Sequence, residues 1–288
     1  MPTISRPDVE LWIKTVATGE FHYKNVCGLQ GRLDTPEDNK LRRIIWELCQ
    51  AGVCESSGRN DGRYRAIDNG VEPLDFTQLR QRDFPVIYPF DLRRYVFIYP
   101  DTTSIVAGSK NSGKSGFIYR TAALNMGKIN IKLLSNMEGG KEQTYDRFKA
   151  MGMDLATLPK FIYPVDDNFH DHIKDKDTLY LIDYIDAPDG DEFYLIGGKV
   201  SKVDKKLQGL NSHALIGLQK PMGRDTAFGG EQTLKAATLY IAMDSNKLKI
   251  FRAKVSANKQ VHPDNMQWTF KYSEEGTEFY DIKPYYGD

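Results

Sequence analysis

The stretch Ser104-Ile105-Val106-Ala107-Gly108-Ser109-Lys110-Asn111-Ser112-Gly113-Lys114-Ser115-Gly116 decides how the rest of the chain is read. Ser104 to Ala107 is a short apolar run of strand type, and Phe117 to Asn125 reads as a helix stopped by Gly127. Between them the glycines, Lys114 and Ser115 have the full spacing of a phosphate-binding loop. Glycine lets the backbone wrap so that successive N–H groups point at a phosphate, and the helix that follows adds its positive end. On this reading Gly108, Ser109, Lys110, Asn111, Ser112, Gly113, Lys114, Ser115 and Gly116 cradle a nucleoside triphosphate. Lys114 reaches its β- and γ-phosphates, and the Ser115 hydroxyl holds Mg²⁺.

Downstream, short apolar runs alternate with helical stretches, the pattern of a parallel sheet with crossovers. Strands are expected at Ser104–Ala107, Ile129–Leu134, Phe161–Val165, Leu179–Ile182, Ala214–Leu218, Thr238–Met243 and Lys247–Lys254, with a closing antiparallel pair at Met266–Tyr272 and Glu278–Ile282. Three of these ends carry polar groups suited to the loop. Leu179 to Ile182 ends at Asp183, placed to order the Mg²⁺ shell, with Asp186 and Asp189 as competitors. Beyond Leu134, Glu138 is the general-base candidate, with Glu142 as its substitute. His213 to Leu218 ends at Gln219, whose amide can bond a γ-phosphate and the backbone beyond. Lys220 and the loop Pro221 to Thr233, with Arg224 and Phe228, are placed to meet a nucleic-acid strand through charge and stacking.

Upstream the character changes. Asp8 to Thr18 has a helical apolar pattern, Phe21 to Leu29 a shorter one, and Thr35-Pro36-Glu37-Asp38 opens a third helix that Gly52 ends. Arg59-Asn60-Asp61-Gly62 then joins two strand-like runs, and Asp-Gly is a tight-hairpin signal. Three helices followed by a hairpin give the order of a winged helix-turn-helix over residues 1–70. Lys40, Arg42 and Arg43 would lie on the helix that enters a major groove, and Arg59, Arg63 and Arg65 on the wing. Residues 1–70 hold ten basic and ten acidic side chains, so strong non-specific DNA binding is not expected. Residues 71–100 read as a linker that packs onto an α/β domain over 101–288.

Composition excludes several classes. The 288 residues are 40% hydrophobic and 27% charged, with 39 basic and 39 acidic side chains, so there is no global cationic coat. No apolar run approaches the roughly 18 residues of a membrane span, and the first residues do not resemble a secretory signal. The three cysteines, Cys27, Cys49 and Cys54, match no metal spacing even with His22 and are expected in the core of a cytoplasmic protein.

The ordered set of phosphate loop, Glu138, Asp183 within Leu-Ile-Asp-Tyr, Gln219 and glycine-containing loop resembles the RecA-like ATPases. It is most similar to the core of DnaB-type replicative helicases and related phage and plasmid ATPases, over residues 90 to 285. The resemblance implies a RecA-like P-loop NTPase core that binds ATP and Mg²⁺ and assembles as a homo-oligomeric ring or filament with ATP between subunits. A neighbour would then supply cations to the γ-phosphate, here Arg252 and Lys254. The first seventy residues do not match the helical-hairpin domain of those helicases. The expected activity is Mg²⁺-dependent ATP hydrolysis coupled to DNA binding or translocation in replication or recombination, in a phage or mobile-element setting. The alternative is a DNA-bound ATP switch, a loader or regulator that hydrolyses slowly. A small-molecule kinase is disfavoured because no arginine-bearing lid is evident.

Overall fold

The computed structural model describes residues 4–17, 19–28, 35–58, 62–68, 83–156, 158–186, 193–273 and 276–286. The chain divides into two compact units, Met1–Gln78 and Leu79–Asp288. No helix among the described residues is long and apolar enough to cross a membrane.

The smaller unit contains α1 (Arg6–Thr15), β1 (Glu20–His22), α2 (Thr35–Gln50), β2 (Cys54–Ser56) and β3 (Arg63–Ala66). Ser5 caps α1 by accepting the Asp8 N–H at 3.4 Å. Along α2, Leu41, Ile44, Ile45 and Leu48 recur at helical spacing and are buried against Val9 and Ile13 of α1. The strands form an antiparallel sheet in the order β1-β3-β2, with Phe21 opposite Tyr64 and Glu55 opposite Arg65. The expected second helix over Phe21 to Leu29 is a correction: β1 is followed by a 3-10 turn over Tyr23–Gly28. Phe21 and Tyr23 are buried while His22 between them is half-exposed, a two-residue period, and Val26 has extended backbone angles that interrupt the turn. Cys54 is buried as expected, Cys49 is half-buried and Cys27 is exposed. The hairpin turn over residues 59–61, Arg59 included, lies outside the described residues.

Among the described residues, the larger unit is built on one nine-stranded sheet. Its strands are β4 (Thr102–Gly108), β5 (Asn130–Ser135), β6 (Ile162–Pro164), β7 (Thr178–Ile185), β8 (His213–Gln219), β9 (Ala237–Asp244), β10 (Lys247–Ala253), β11 (Gln267–Tyr272) and β12 (Phe279–Tyr285). They lie in the order β12-β11-β10-β9-β4-β8-β7-β5-β6, so every strand expected from the sequence is present. The six from β9 to β6 run parallel, and β10, β11 and β12 extend one edge antiparallel.

Alternation along the central strands divides the core. Val106, Leu179, Leu181 and Leu215 join one apolar cluster with Phe117 and Ile118 of α3 (Lys114–Asn125). Ile105, Tyr180, Ile182, Ala214 and Ile216 join the other, with Ile196, Val200, Val203 and Leu207 of α5 (Leu195–Leu207). With both faces covered, the strands read as unbroken apolar runs, and each fully buried side chain contributes about 2 kcal/mol. Two further helices are α4 (Gly140–Ala150) and α6 (Glu231–Ala236). Within the expected linker, Phe84, Val86, Tyr88, Phe90, Leu92, Val96 and Ile98 are buried in the first cluster. Asn125 clamps this segment by accepting the Ile87 N–H at 2.8 Å and donating to the Ile87 carbonyl at 2.7 Å.

Candidate functional site

Parallel strands bring their carboxyl ends to one edge of the sheet. In register, Gly108 of β4 lies beside Gln219 of β8, and Ser135 of β5 lies beside Asp183 of β7. Residues separated by more than a hundred positions therefore meet around a cleft of about 760 Å³. The loop from Ser109 to Gly116 forms its floor, and Glu138, Asp183 and Gln219 line it with Lys114 and Ser115. Glu142 is exposed and is not among the lining residues. Asp189 lies outside the described residues.

The loop is built for close backbone approach. Gly113 has φ +89° immediately before α3, a left-handed conformation that disfavours a side chain. Ser112 Oγ is buried with no hydrogen-bond partner, on the loop whose amides are to meet an anion. An orphaned hydroxyl of this kind lacks the acceptor that a phosphate oxygen would supply. Ser115 Oγ donates to Asp183 Oδ1 at 3.1 Å, so two hard oxygen donors lie side by side at the helix start. That donor set fits Mg²⁺, which is held by few protein oxygens together with phosphates and water.

Burial sets the electrostatics. It lowers the Lys114 pKa, against the opposing pull of Asp183, Glu138 and Asp186. It also raises the Asp183 carboxyl, opposed first by Lys114 and then by the Ser115 and Tyr119 hydroxyls. Both groups thus lie where charge is poorly hydrated, the setting in which a bound polyanion and cation interact most strongly with them.

The larger unit also shows what strand order does to the other expected residues. Because β10 is antiparallel to β9, Arg252 pairs with Tyr240, itself level with Ile105, and the Lys254 N–H bonds the Thr238 carbonyl. Arg252 therefore lies level with the middle of β4 and Lys254 near the end away from the phosphate loop, and neither lines this cleft. Lys220 is a second correction. Its side chain is fully buried, with Nζ 2.6 Å from both Asp244 Oδ1 and the Arg224 carbonyl, so it is not presented to a nucleic acid. Arg224 is exposed, whereas Phe228 stacks on Phe193 with centroids 4.3 Å apart and donates its N–H to the Gln219 carbonyl at 3.0 Å.

In the smaller unit, Lys40 and Arg43 are exposed on α2, with Arg43 paired to Glu47 at 3.0 Å. Arg42 is held by Asp38 at 2.9 Å and by the Tyr23 hydroxyl. Arg63 is exposed on β3, and Arg65 pairs with Glu55 across the hairpin.

Sequence reading missed several cleft residues. Tyr184 follows Asp183 with no motif to mark it, yet Lys114 Nζ lies 4.0 Å from the centre of its ring. Gln143 and Arg147, four apart on α4, reach the cleft from one helix face, a spacing visible in the chain. Tyr272 and Gly276 arrive from the β11–β12 hairpin, where Tyr272 donates to the Asn111 carbonyl at 2.9 Å. No local signal announces that contact.

No protein-family model matches the chain. No curated protein matches it either. Among solved structures, a KaiC-like protein from the hyperthermophilic archaeon Pyrococcus horikoshii is similar with a TM-score of 0.52 at 17% identity, over 71% of this chain and 99% of that one. The larger unit has a RecA-like fold. The RadB recombinase is also similar, with a TM-score of 0.45 at 13% identity, over 62% of this chain and 90% of that one. In RecA-like terms, the cleft lies at the carboxyl ends of the parallel strands, where open α/β sheets bind ligands.

Proposed function

We propose that the RecA-like unit is an Mg²⁺-dependent ATPase whose turnover is coupled to DNA. The observation that carries this reading is the convergence of Lys114, the Ser115–Asp183 pair, Glu138 and Gln219 on one cleft floored by the phosphate loop. The loop amides and Lys114 would hold the triphosphate and neutralise charge as it develops on the transferred phosphoryl group. Ser115 and Asp183 would hold Mg²⁺, which when bound shields the phosphate oxygens. Glu138 would orient the attacking water, and Gln219 would link the terminal phosphate to the 221–233 loop through its carbonyl bond to Phe228.

The α–β–α–β–β order of the smaller unit, with its antiparallel hairpin, supports the reading of a winged helix that contacts duplex DNA. Arg42, Arg43 and Arg65 are engaged in exposed ion pairs, which water screens and a DNA phosphate can displace. A catalytic role for Arg252 and Lys254 would require a neighbouring copy, in the homo-oligomeric arrangement that the resemblance implies. The alternative reading is a switch, in which ATP occupancy controls assembly with slow hydrolysis.

Phosphate release with and without single-stranded DNA separates these readings, since a motor is stimulated several-fold and a switch is slow in both conditions. Lys114→Ala should lower release by about 10²-fold or more with the fold intact. Normal turnover in that variant would remove the proposal. Deleting residues 1–70 should weaken duplex binding while leaving basal hydrolysis, and unchanged duplex affinity would make the smaller unit a protein-contact module.

A further inference from the structure

Tyr184 has no part in the phosphate, metal or water roles described above, yet its side chain lines the cleft and meets the group on which those roles depend. Lys114 Nζ lies 4.0 Å from the centre of the Tyr184 ring, close enough for a cation–π contact over the ring face. Lys114 makes no ion pair among the described residues: Asp183, Glu138 and Asp186 attract it only at longer range, and the Tyr184 face is the group its ammonium sits over. The two residues come from different elements: Lys114 opens α3, and Tyr184 is near the end of β7, next to Asp183. The contact thus ties the phosphate-loop lysine to the strand end that carries the expected Mg²⁺ ligand.

A lysine side chain has four rotatable bonds and is costly to order. Without the ring, the Lys114 ammonium would be restrained only by the longer-range pull of the cleft carboxylates, and nucleotide binding would bear more of the ordering cost. Held over an aromatic face, its ammonium already points into the cleft when the phosphates arrive. A ring face is also a weak partner, and it yields to a phosphate oxygen where a carboxylate would compete.

From this contact we infer that Tyr184 is a positioning residue that pre-orders Lys114 for the β- and γ-phosphates through the face of its ring. The inference rests on the nucleotide-site reading above. It assigns the work to the ring and none to the hydroxyl, which makes the two separable.

The test is equilibrium binding of a fluorescent ATP analogue to the full chain, measured without turnover, alongside the melting temperature of each nucleotide-free variant. Tyr184→Leu should weaken binding about tenfold, the effect of losing a partly desolvated cation–π contact. Tyr184→Phe should stay within about twofold of the parent, because the ring face is retained. Phenylalanines carrying one, two and three ring fluorines at position 184 keep the shape and drain the negative face, so affinity should fall step by step while the melting temperature holds. Parent-like affinity in Tyr184→Leu, an equal loss in Tyr184→Phe, or a flat fluorine series would each overturn the inference. A parent chain that binds no nucleotide would instead overturn the site reading itself.

Discussion

At the residue scale, the cleft assigns different work to neighbouring acids. Asp183 is buried beside Ser115 and Lys114, whereas Glu138 is exposed at the mouth of the same cleft. A buried carboxylate against a hydroxyl suits a metal shell, and a solvent-facing one suits a water. Glu138→Gln should therefore keep ATP binding and lower turnover by about 10²–10⁴-fold, the usual contribution of a positioned base. Single-turnover phosphate release with a parallel binding titration checks it. If Glu142→Gln shows that pattern instead, the water is held from α4. Glu138 was legible because it follows a strand that neighbours the loop strand in sequence. Arg147 and Tyr184 were not, because their approach depends on where α4 and β7 pack.

At the element scale, the β11–β12 hairpin braces the phosphate loop. Phe279 packs on Phe90, Phe117 and Phe270, with ring centroids 5.1, 6.4 and 5.2 Å away. Gly276 presents its carbonyl to Gly116 so closely that a methyl group at position 116 would overlap it. Gly116→Ala should therefore displace the hairpin and cost about 1–3 kcal/mol, the range of an overpacked site. Urea unfolding of the two chains measures that loss, and a neutral result would show that the hairpin moves freely. The strands themselves were readable, since a run buried on both faces has no polar interruptions. The Tyr23–Gly28 turn was misread as helix because three apolar residues in a short span satisfy either period.

At the scale of the whole molecule, one buried histidine couples the fold to pH. His213 is enclosed at the start of β8, with Nε2 2.9 Å from the Tyr88 hydroxyl and 3.0 Å from Ser104 Oγ, and Nδ1 3.2 Å from Thr102 Oγ1. Burial lowers its pKa from 6.5 to about 3. The folded chain therefore binds a proton less readily than the unfolded one, and stability is full above pH 6.5. It declines as pH falls below 6.5 and the loss is complete near pH 3, with an upper bound of about 5 kcal/mol for a shift of this size. Urea midpoints at pH 7, 5 and 4 should fall in that order, and His213→Gln should flatten the series. An equally steep series in the variant would assign the acid loss to carboxylates.

Which residue types could bind a triphosphate was already decided along the chain, because a wrapping backbone, a lysine and a hydroxyl must be contiguous to act on one phosphate group. The strands were likewise local, being set by burial on both faces. Sheet order was not local. Placing β8 and β7 beside β4 carried Gln219 and Asp183 to Lys114, while turning β10 antiparallel carried Arg252 and Lys254 away from it. Burial of Lys220 against Asp244 was equally invisible in the chain. Pairing between strands depends on packing across the whole sheet, a property that no window of sequence contains.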